Sequence, residues 1–402
     1  MEIVQTHKPK RGQCSACGTA PVNHKLFYAG GVMNDFMETF SKAFFGWMKI
    51  PSEGRLGDIF ISIFVNTLRL AGLTEFSDDS SKVASGRSEL IWNEATRRGI
   101  KMQQVLFLKK PLEQYRAKIN GRWIYFQSIP IPSWLPQNGY EWIDDKFVLS
   151  EKLNSAGVCA PKAKTARTLK KALQAFHELK KPVIVKPRQG SRARHTTTNI
   201  NTESEFIEAF NLGKVIARTL VIEEHVFGYV YRATVVNNKL AGFFLATPPQ
   251  VTGDGIHTIT ELIEIKNKNK PNKISDIVVD EDIISFVKRK NYTLESIVPK
   301  DELLDLTSKA GRFLGGYTKE MLPEVHPKFH EIFKKASGVT QIPIAGFDLI
   351  VKDATKDPDT QTWGIIECNS MPYIDLHYFA FEGEPVDIAK NIWDLWEEKI
   401  KK

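Results

Sequence analysis

Ala345-Gly-Phe-Asp-Leu-Ile-Val-Lys352 and Trp363-Gly-Ile-Ile-Glu-Cys-Asn369 are two apolar runs separated by Asp353-Ala-Thr-Lys-Asp-Pro-Asp-Thr360, an acidic linker that carries a proline. Apolar runs of this length, bounded by turn residues, read as two strands. Successive side chains on a strand point to opposite faces, so Glu367 and Asn369 share one face while Cys368 points the other way, into a core. Asp348 on the first strand can stand opposite them on its neighbour. Asp348, Glu367 and Asn369 together offer only oxygen. A few hard oxygen ligands, with positions left for water and phosphate, suit Mg²⁺, which makes these three the candidate metal ligands. Two carboxylates on neighbouring strands are by themselves an ordinary polar face; the preceding sequence gives the pattern its weight.

Working back from that pair, the chain alternates helical and extended patterns, which indicates an α/β class. Asp144-Asp-Lys146 opens a helix running to Ala156, and Thr168 caps a second that runs to about Lys180. The strand Val183-Ile-Val185 follows, continued by Lys186-Pro187, and then Thr202, with Glu205 three residues on, forms a capping box. Next come the strand Leu220-Val-Ile-Glu223 and a hairpin, Tyr229 to Val236 and Lys239 to Leu245, turned by Asn237-Asn238. Lys146 and Lys186 stand at the mouths of successive elements, where a lysine acts as a point charge toward phosphate oxygens. Between strands lies Gln189-Gly-Ser-Arg-Ala-Arg-His-Thr-Thr-Thr198, a hydroxyl-rich cationic loop. Its amides, hydroxyls and arginines can wrap a phosphate chain. Lys266 to Lys273 is expected to be an exposed loop, and Trp393, Leu395 and Trp396 to sit on a final helix.

The first third reads differently. Ser88 to Gly99 is a helix stopped by glycine, Val105 to Leu108 a strand, and Tyr115 to Phe126 an Asn-Gly hairpin. Pro130-Ile-Pro-Ser-Trp-Leu-Pro136 then breaks regular structure. A boundary near residue 143 gives segments 1–142, 143–228 and 229–402 as the expected domains. Cys14-Ser-Ala-Cys17 is a single CxxC whose nearby partners are His7 and His24. Zinc needs four ligands, so a loop with two inert thiols is the plainer reading and a zinc knuckle the alternative. Apolar residues from Met33 to Met48 recur at helical spacing, the pattern of a core or homo-oligomer face more than of a membrane face.

With 402 residues, 42% hydrophobic and 25% charged, the chain is an ordinary globular protein of two or three domains. The stretch Asp58 to Leu70 is interrupted by Ser62, Asn66 and Arg69, too short for a bilayer span, and Met1 to Gly12 lacks the apolar core of a secretory leader. Four cysteines make a disulfide framework a poor fit, so a cytoplasmic setting is expected. A net charge of +8 is a weak field at this length, except where Arg188, Arg192, Arg194 and His195 gather. That group has no interleaved aromatics for stacking bases, and fits a compact anion better than a nucleic acid.

The ordered set Lys146, Val185-Lys-Pro187, the glycine and hydroxyl loop, Val221-Ile-Glu-Glu-His-Val-Phe-Gly228, Asp348 and Glu367-Cys-Asn369 resembles the ATP-grasp ligases. More narrowly, Val251-Thr-Gly-Asp-Gly-Ile-His-Thr-Ile-Thr-Glu-Leu-Ile263, Val325-His-Pro327 and Glu367-Cys-Asn-Ser-Met-Pro372 are similar to the ATP-grasp portion of cyanophycin synthetases. Glutathione synthetases and the glutamate-adding peptide ligases are wider relatives. The resemblance covers about residues 143 to 396. It implies two α+β lobes holding ATP between them, preceded by an α/β amino-terminal domain. It also implies that Lys146, Lys186, Gly190, Ser191 and His195 meet the phosphates, that Glu223, Glu224 and Val226 lie in the strand beside adenine, and that Asp348, Glu367 and Asn369 hold two Mg²⁺ ions. Arg194, Arg232 and His257 would face the reacting groups; for His257, and for Arg312 as a residue facing the substrate, a structural role is the plainer reading. The implied activity joins a carboxylate to an amine, an amino acid or short peptide, through an acylphosphate.

There are departures from the pattern. Ala193 and His195 replace glycines of the phosphate loop, Val230 an acid at the ribose, and Ala246 an arginine before the Gly-Asp-Gly segment. The second ligase domain of full cyanophycin synthetases has no room in 402 residues. Polymerisation is therefore not implied. A nucleotide-binding regulatory or assembly protein with weak turnover is the alternative.

Overall fold

Hairpins and caps set the local frame. Asn120 and Gly121 both adopt positive φ, 48° and 78°, and turn the chain between β3 (Lys110–Ile119) and β4 (Arg122–Gln127). With β1 (Thr74–Ser77) and β2 (Met102–Phe107) these form an antiparallel sheet in the order β1-β2-β3-β4. Strand β2 begins three residues before the expected Val105 and stops at Phe107, because Leu108 turns to a φ of 48°. Helix α1 (Gly86–Arg97), capped by Ser85, packs on this sheet. The computed structural model describes residues 14, 22–28, 63, 65–136, 138–140, 142–188, 194–271, 274–307 and 309–397. Cys17, most of the expected amphipathic helix through Met48, Gly190, Ser191, Arg192 and Ala193 lie outside the described residues.

Helix α2 (Lys146–Ser155) leads into a second unit of β5 (Ala163–Ala166), α3 (Leu169–Glu178), β6 (Val183–Pro187), β7 (Thr197–Ile200), α4 (Glu203–Lys214) and β8 (Leu220–Glu224). Its sheet runs β5-β8-β6-β7, all antiparallel. The Thr202–Glu205 capping box is formed as the spacing predicts and starts α4. Phe176 of α3 stacks on Phe206 of α4 with ring centres 4.7 Å apart, over a sheet face of Val183, Val185, Leu220 and Ile222.

The third unit begins with the hairpin β9 (Tyr229–Val236) and β10 (Lys239–Ala246), whose turn places Asn237 and Asn238 at φ 47° and 64°. A side structure follows: β11 (Gln250–Thr252), α5 (Ile259–Asn269), α6 (Glu281–Arg289) and β12 (Leu303–Asp305), around its own apolar cluster. Then come β13 (Thr318–Glu320), α7 (Lys328–Thr340), β14 (Ile344–Val351), β15 (Trp363–Asn369), α8 (Asp375–Tyr378) and α9 (Ile388–Asp394). The sheet order is β13-β10-β9-β14-β15. Lys266 to Asn269, expected in a loop, belong to α5. Buried Ile259, Leu262 and Ile263 hold the helix, Lys266 Nζ donates to the Gln250 carbonyl at 2.6 Å, and the Asn267 side chain brackets the backbone of Ile277.

Both faces of the five-stranded sheet are covered. Ala233, Val235, Phe243, Ala345, Phe347 and Leu349 pack under α2 and under Phe329 and Phe333 of α7. The opposite face, at Val236, Ala241 and Ile344, packs against Trp92 of α1, Tyr115 and Phe126 of the amino-terminal sheet, and Ile392 and Trp393 of α9. Trp393 Nε1–H donates to the Ile91 carbonyl at 3.0 Å, and Trp396, in the turn after α9, to the Pro130 carbonyl at 2.9 Å. Among the described residues no helix is long and apolar enough to cross a membrane.

Candidate active site

Antiparallel register brings the acidic strands together. Asp348 pairs with Glu367, and Gly346 with Asn369, across β14 and β15, while Asp348 also faces Arg232 on β9. A bulge follows Asp348, so that Leu349 faces Ile365; such bulges re-aim side chains and end regular pairing. Asp348, Glu367, Asn369 and Arg232 therefore share one end of one sheet face. Arg232 Nη2 lies 3.4 Å from Asp348 Oδ2, and Lys146 Nζ reaches Glu367 Oε1 at 3.6 Å. Burial pushes the Asp348 carboxyl up to about 6, and Glu367 pushes the same way against Arg232 and Lys146. Asp144 is raised as well, again chiefly by burial.

A small, partly open cavity of about 20 Å³ adjoins these groups, lined among others by Arg232, Thr234, Asp348, Asn369, Pro372 and Tyr373. Cys368 faces away into the core, where burial raises its thiol well above the ordinary range. It is not a reactive thiolate.

The amino end of α2 joins this face to the four-stranded unit. Asp145 caps the helix by accepting from the amides of Phe147 and Val148 through Oδ1, at 3.1 and 3.3 Å. Its Oδ2 binds Arg188, just beyond β6, at 2.8 Å from Nε. The next residue, Lys146, reaches Glu367. Lys186, at the end of β6, is buried, and its Nζ donates to Glu223 Oε1 on β8 at 2.6 Å. The side chain of Glu223 is thus committed to a lysine. Glu224 accepts from the Lys180 amide at 3.2 Å, and Val226 is buried beyond it.

His195 and His257 are each engaged with other groups. The His195 ring, expected at the phosphates, is 1% exposed. Its Nδ1 lies 2.7 Å from the Leu212 carbonyl, and its Nε2 lies 3.6 Å from Cys14 Sγ. A backbone φ of 49° and the carbonyl near the end of α4 fix the ring there, and burial lowers its pKa. Arg194, partly buried, directly precedes it. His257 pairs through Nδ1 with Asp254 Oδ2 at 2.5 Å. Both the Ile256 and His257 amides donate to Asp254 Oδ1, so this group ties up its own loop.

Arg87 is the contributor that the motifs do not reveal. It stands in the first turn of α1, and its Nη1 donates to the Met371 carbonyl at 2.7 Å, its Nη2 to Ser128 at 3.3 Å, with its guanidinium 5.5 Å from the Tyr373 ring centre. Arg312 binds the buried Asp375 at 2.7 Å. Behind the cavity wall Thr234 Oγ1, His377 and Glu320 form a buried chain with contacts of 2.7 and 2.6 Å. No local spacing announces these residues; they converge through sheet order and the shared core.

No protein-family model matches the chain. It is 31% identical over 268 residues to the cyanophycin synthetase of Synechocystis sp., an alignment covering 64% of this chain and 30% of that protein. It is 27% identical over 319 residues to a glutathione biosynthesis bifunctional protein of Listeria innocua, covering 77% of this chain and 41% of the relative. The chain thus spans between about a third and two fifths of the length of these curated relatives. The crystal structure of a bifunctional glutathione synthetase from Pasteurella multocida superposes with a TM-score of 0.58 at 21% identity, over 78% of this chain and 43% of that one. The two-unit antiparallel architecture is the ATP-grasp fold, and the similarity to ATP-grasp ligases holds in sequence as well as in fold.

Proposed function

We propose that this ATP-grasp chain is an ATP- and Mg²⁺-dependent carboxylate–amine ligase acting on an amino acid or short peptide. The observation that carries the reading is the register of β9, β14 and β15, which places Asp348, Glu367, Asn369 and Arg232 on one end of a sheet face, within reach of Lys146. The donor set fits Mg²⁺, since two carboxylates and an amide oxygen converge at a largely buried site, where burial first and the Glu367 carboxylate second raise Asp348. Asp348, Glu367 and Asn369 would hold the metal, which when bound supplies charge neutralisation to phosphate oxygens. The relatives' fold and sequence support the same reading.

The residues divide the work. Lys186, paired with Glu223, supplies positive charge on the four-stranded unit, while Lys146 and Arg232 supply it on the five-stranded one. The segment from Glu223 to Val226 is the natural adenine wall. A substrate carboxylate oxygen attacks the γ-phosphorus, the bridging P–O bond breaks, and ADP leaves with the electron pair. The amine then attacks the acyl carbon, loses a proton, and expels inorganic phosphate to leave an amide. Lysines, an arginine and orientation suffice for such a transfer, with no side-chain nucleophile required. Arg87 and Arg312 frame the wall near Tyr373 and Asp375, where a substrate carboxylate would be oriented.

The test is ADP release with Mg²⁺ and a panel of amino acids and short peptides, paired with detection of the amide product by mass. The reading predicts acceptor-dependent ADP formation that Glu367→Gln abolishes. Tight ATP binding with no acceptor-stimulated turnover would instead support the non-catalytic, regulatory alternative.

A further inference from the structure

The CxxC segment at the amino end is not absorbed by the ligase site, yet one of its cysteines meets the small unit. Cys14 Sγ lies 3.6 Å from His195 Nε2, although the two residues are 181 positions apart. His24 stands edge-on to His195, ring centres 5.0 Å apart and planes at 85°. One ligand atom from each of Cys14, His24 and His195 lies within 4.8 Å of the others. In a tetrahedral zinc site with ordinary bond lengths a sulfur and a nitrogen stand about 3.5 Å apart, and two nitrogens about 3.4 Å. The observed sulfur–nitrogen distance already matches, and small side-chain rotations close the rest.

Two further features point to an ion. The Leu212 carbonyl accepts from Nδ1 of His195, which fixes the proton there and leaves the lone pair of Nε2 toward Cys14. A backbone carbonyl on the far ring nitrogen is the usual orienting contact of a metal-bound histidine. The described part of this segment also contributes no residue to the apolar cores. Leu26 is 71% exposed, and among the described residues none from 14 to 28 enters an apolar cluster. We propose that Cys14, His24 and His195 bind a structural Zn²⁺ that fastens the amino-terminal segment to the connection between β6 and β7. A mixed thiolate and imidazole set selects zinc over magnesium. The sequence places Cys17 three residues after Cys14, the spacing of a second thiolate ligand, with water as the other occupant of the fourth position. Because His195 ends the phosphate-loop segment, the ion would anchor one end of that loop.

The full chain, purified without chelator and with any affinity tag removed, should carry about one zinc per molecule by elemental mass spectrometry. Replacement by Co²⁺ should give a thiolate-to-cobalt charge-transfer band and the intense visible bands of a tetrahedral centre. Cys14→Ser should remove the charge-transfer band or halve it, and His195→Gln should weaken binding about 10-fold or more, while Cys159→Ser, at an exposed thiol elsewhere, leaves both unchanged. Chelation should speed hydrogen exchange at residues 194 to 200 without altering exchange in the five-stranded sheet. No zinc above background and no cobalt band in the wild-type chain would overturn the proposal, and those measurements do not depend on any variant folding. A cobalt band lost in Cys17→Ser yet retained in full by Cys14→Ser would overturn the assignment of Cys14.

Discussion

The two sheets that flank the candidate site are built on opposite principles. The four-stranded unit from Ala163 to Glu224 closes its own core, since every residue of its apolar cluster lies between Ala166 and Ile222. The five-stranded sheet borrows its core on both faces, from α2 and α7 on one side and from α1, the amino-terminal sheet and α9 on the other. Across the boundary the recorded ties are polar: Arg188 to Asp145, and Ser150 Oγ–H to the Pro161 carbonyl at 2.5 Å. A unit that closes its own core can shift as a body without disturbing that core. A sheet clamped on both faces can hold Asp348, Glu367 and Arg232 in fixed register. On the proposed function, the difference would give nucleotide grip to one unit and chemistry to the other.

The largest expected effect tests the cores themselves. Phe206→Ala and Phe243→Ala should each cost about 3–5 kcal/mol. Hydrogen exchange should then accelerate only within residues 163–224 for the first, but also through β2 to β4 for the second. Equal spreading from both substitutions would break the comparison. Next, Lys186→Met leaves Glu223 buried beside an apolar side chain, and should lower unfolding free energy by about 3 kcal/mol while weakening ATP binding. Denaturant melts and nucleotide titration give both numbers. Asp348→Asn or Glu367→Gln should leave stability near wild type and reduce acceptor-dependent ADP formation by ~10²-fold or more. A loss of nucleotide affinity equal to the loss of turnover would contradict the division of labour.

Smaller effects sharpen the joint. Arg188→Ala removes a partly exposed ion pair, so its stability cost should stay under ~1 kcal/mol, while the KM for ATP rises several-fold. Steady-state kinetics and thermal melts separate the two. Smallest is the Asp254–His257 pair on the exposed side loop. The Asp254 side chain raises the His257 pKa above its ordinary 6.5. A raised folded-state value means that its small contribution is fully present below pH 6.5 and is lost as pH rises through the folded value. A proton NMR titration of His257 should show the raised midpoint, and Asp254→Asn should return it toward 6.5.

What could be read from the residues alone follows physical range. The face shared by Glu367 and Asn369, the Thr202–Glu205 box and the Asn237-Asn238 turn depend on neighbours a few positions apart, so spacing reveals them. Lys266 to Asn269 look like loop in isolation, since what holds them is the Gln250 carbonyl and the backbone of Ile277. Arg87 carries no local mark, and reaches Met371 only because α1 shares a core with the far end of the chain. His195 sits in a phosphate-loop pattern, but the carbonyl of Leu212 decides where its ring points.

That shared core also sets an order of events during synthesis. Trp92, Tyr115 and Phe126 leave the ribosome early, but Ile392, Trp393 and Trp396, which cover them, follow about 270 residues later. At ~5–20 residues per second the wait is about 15 to 50 s. The four-stranded unit, complete at Glu224, can fold meanwhile, so the nascent chain carries a finished four-stranded lobe beside an amino-terminal sheet whose apolar face still needs a chaperone or α9.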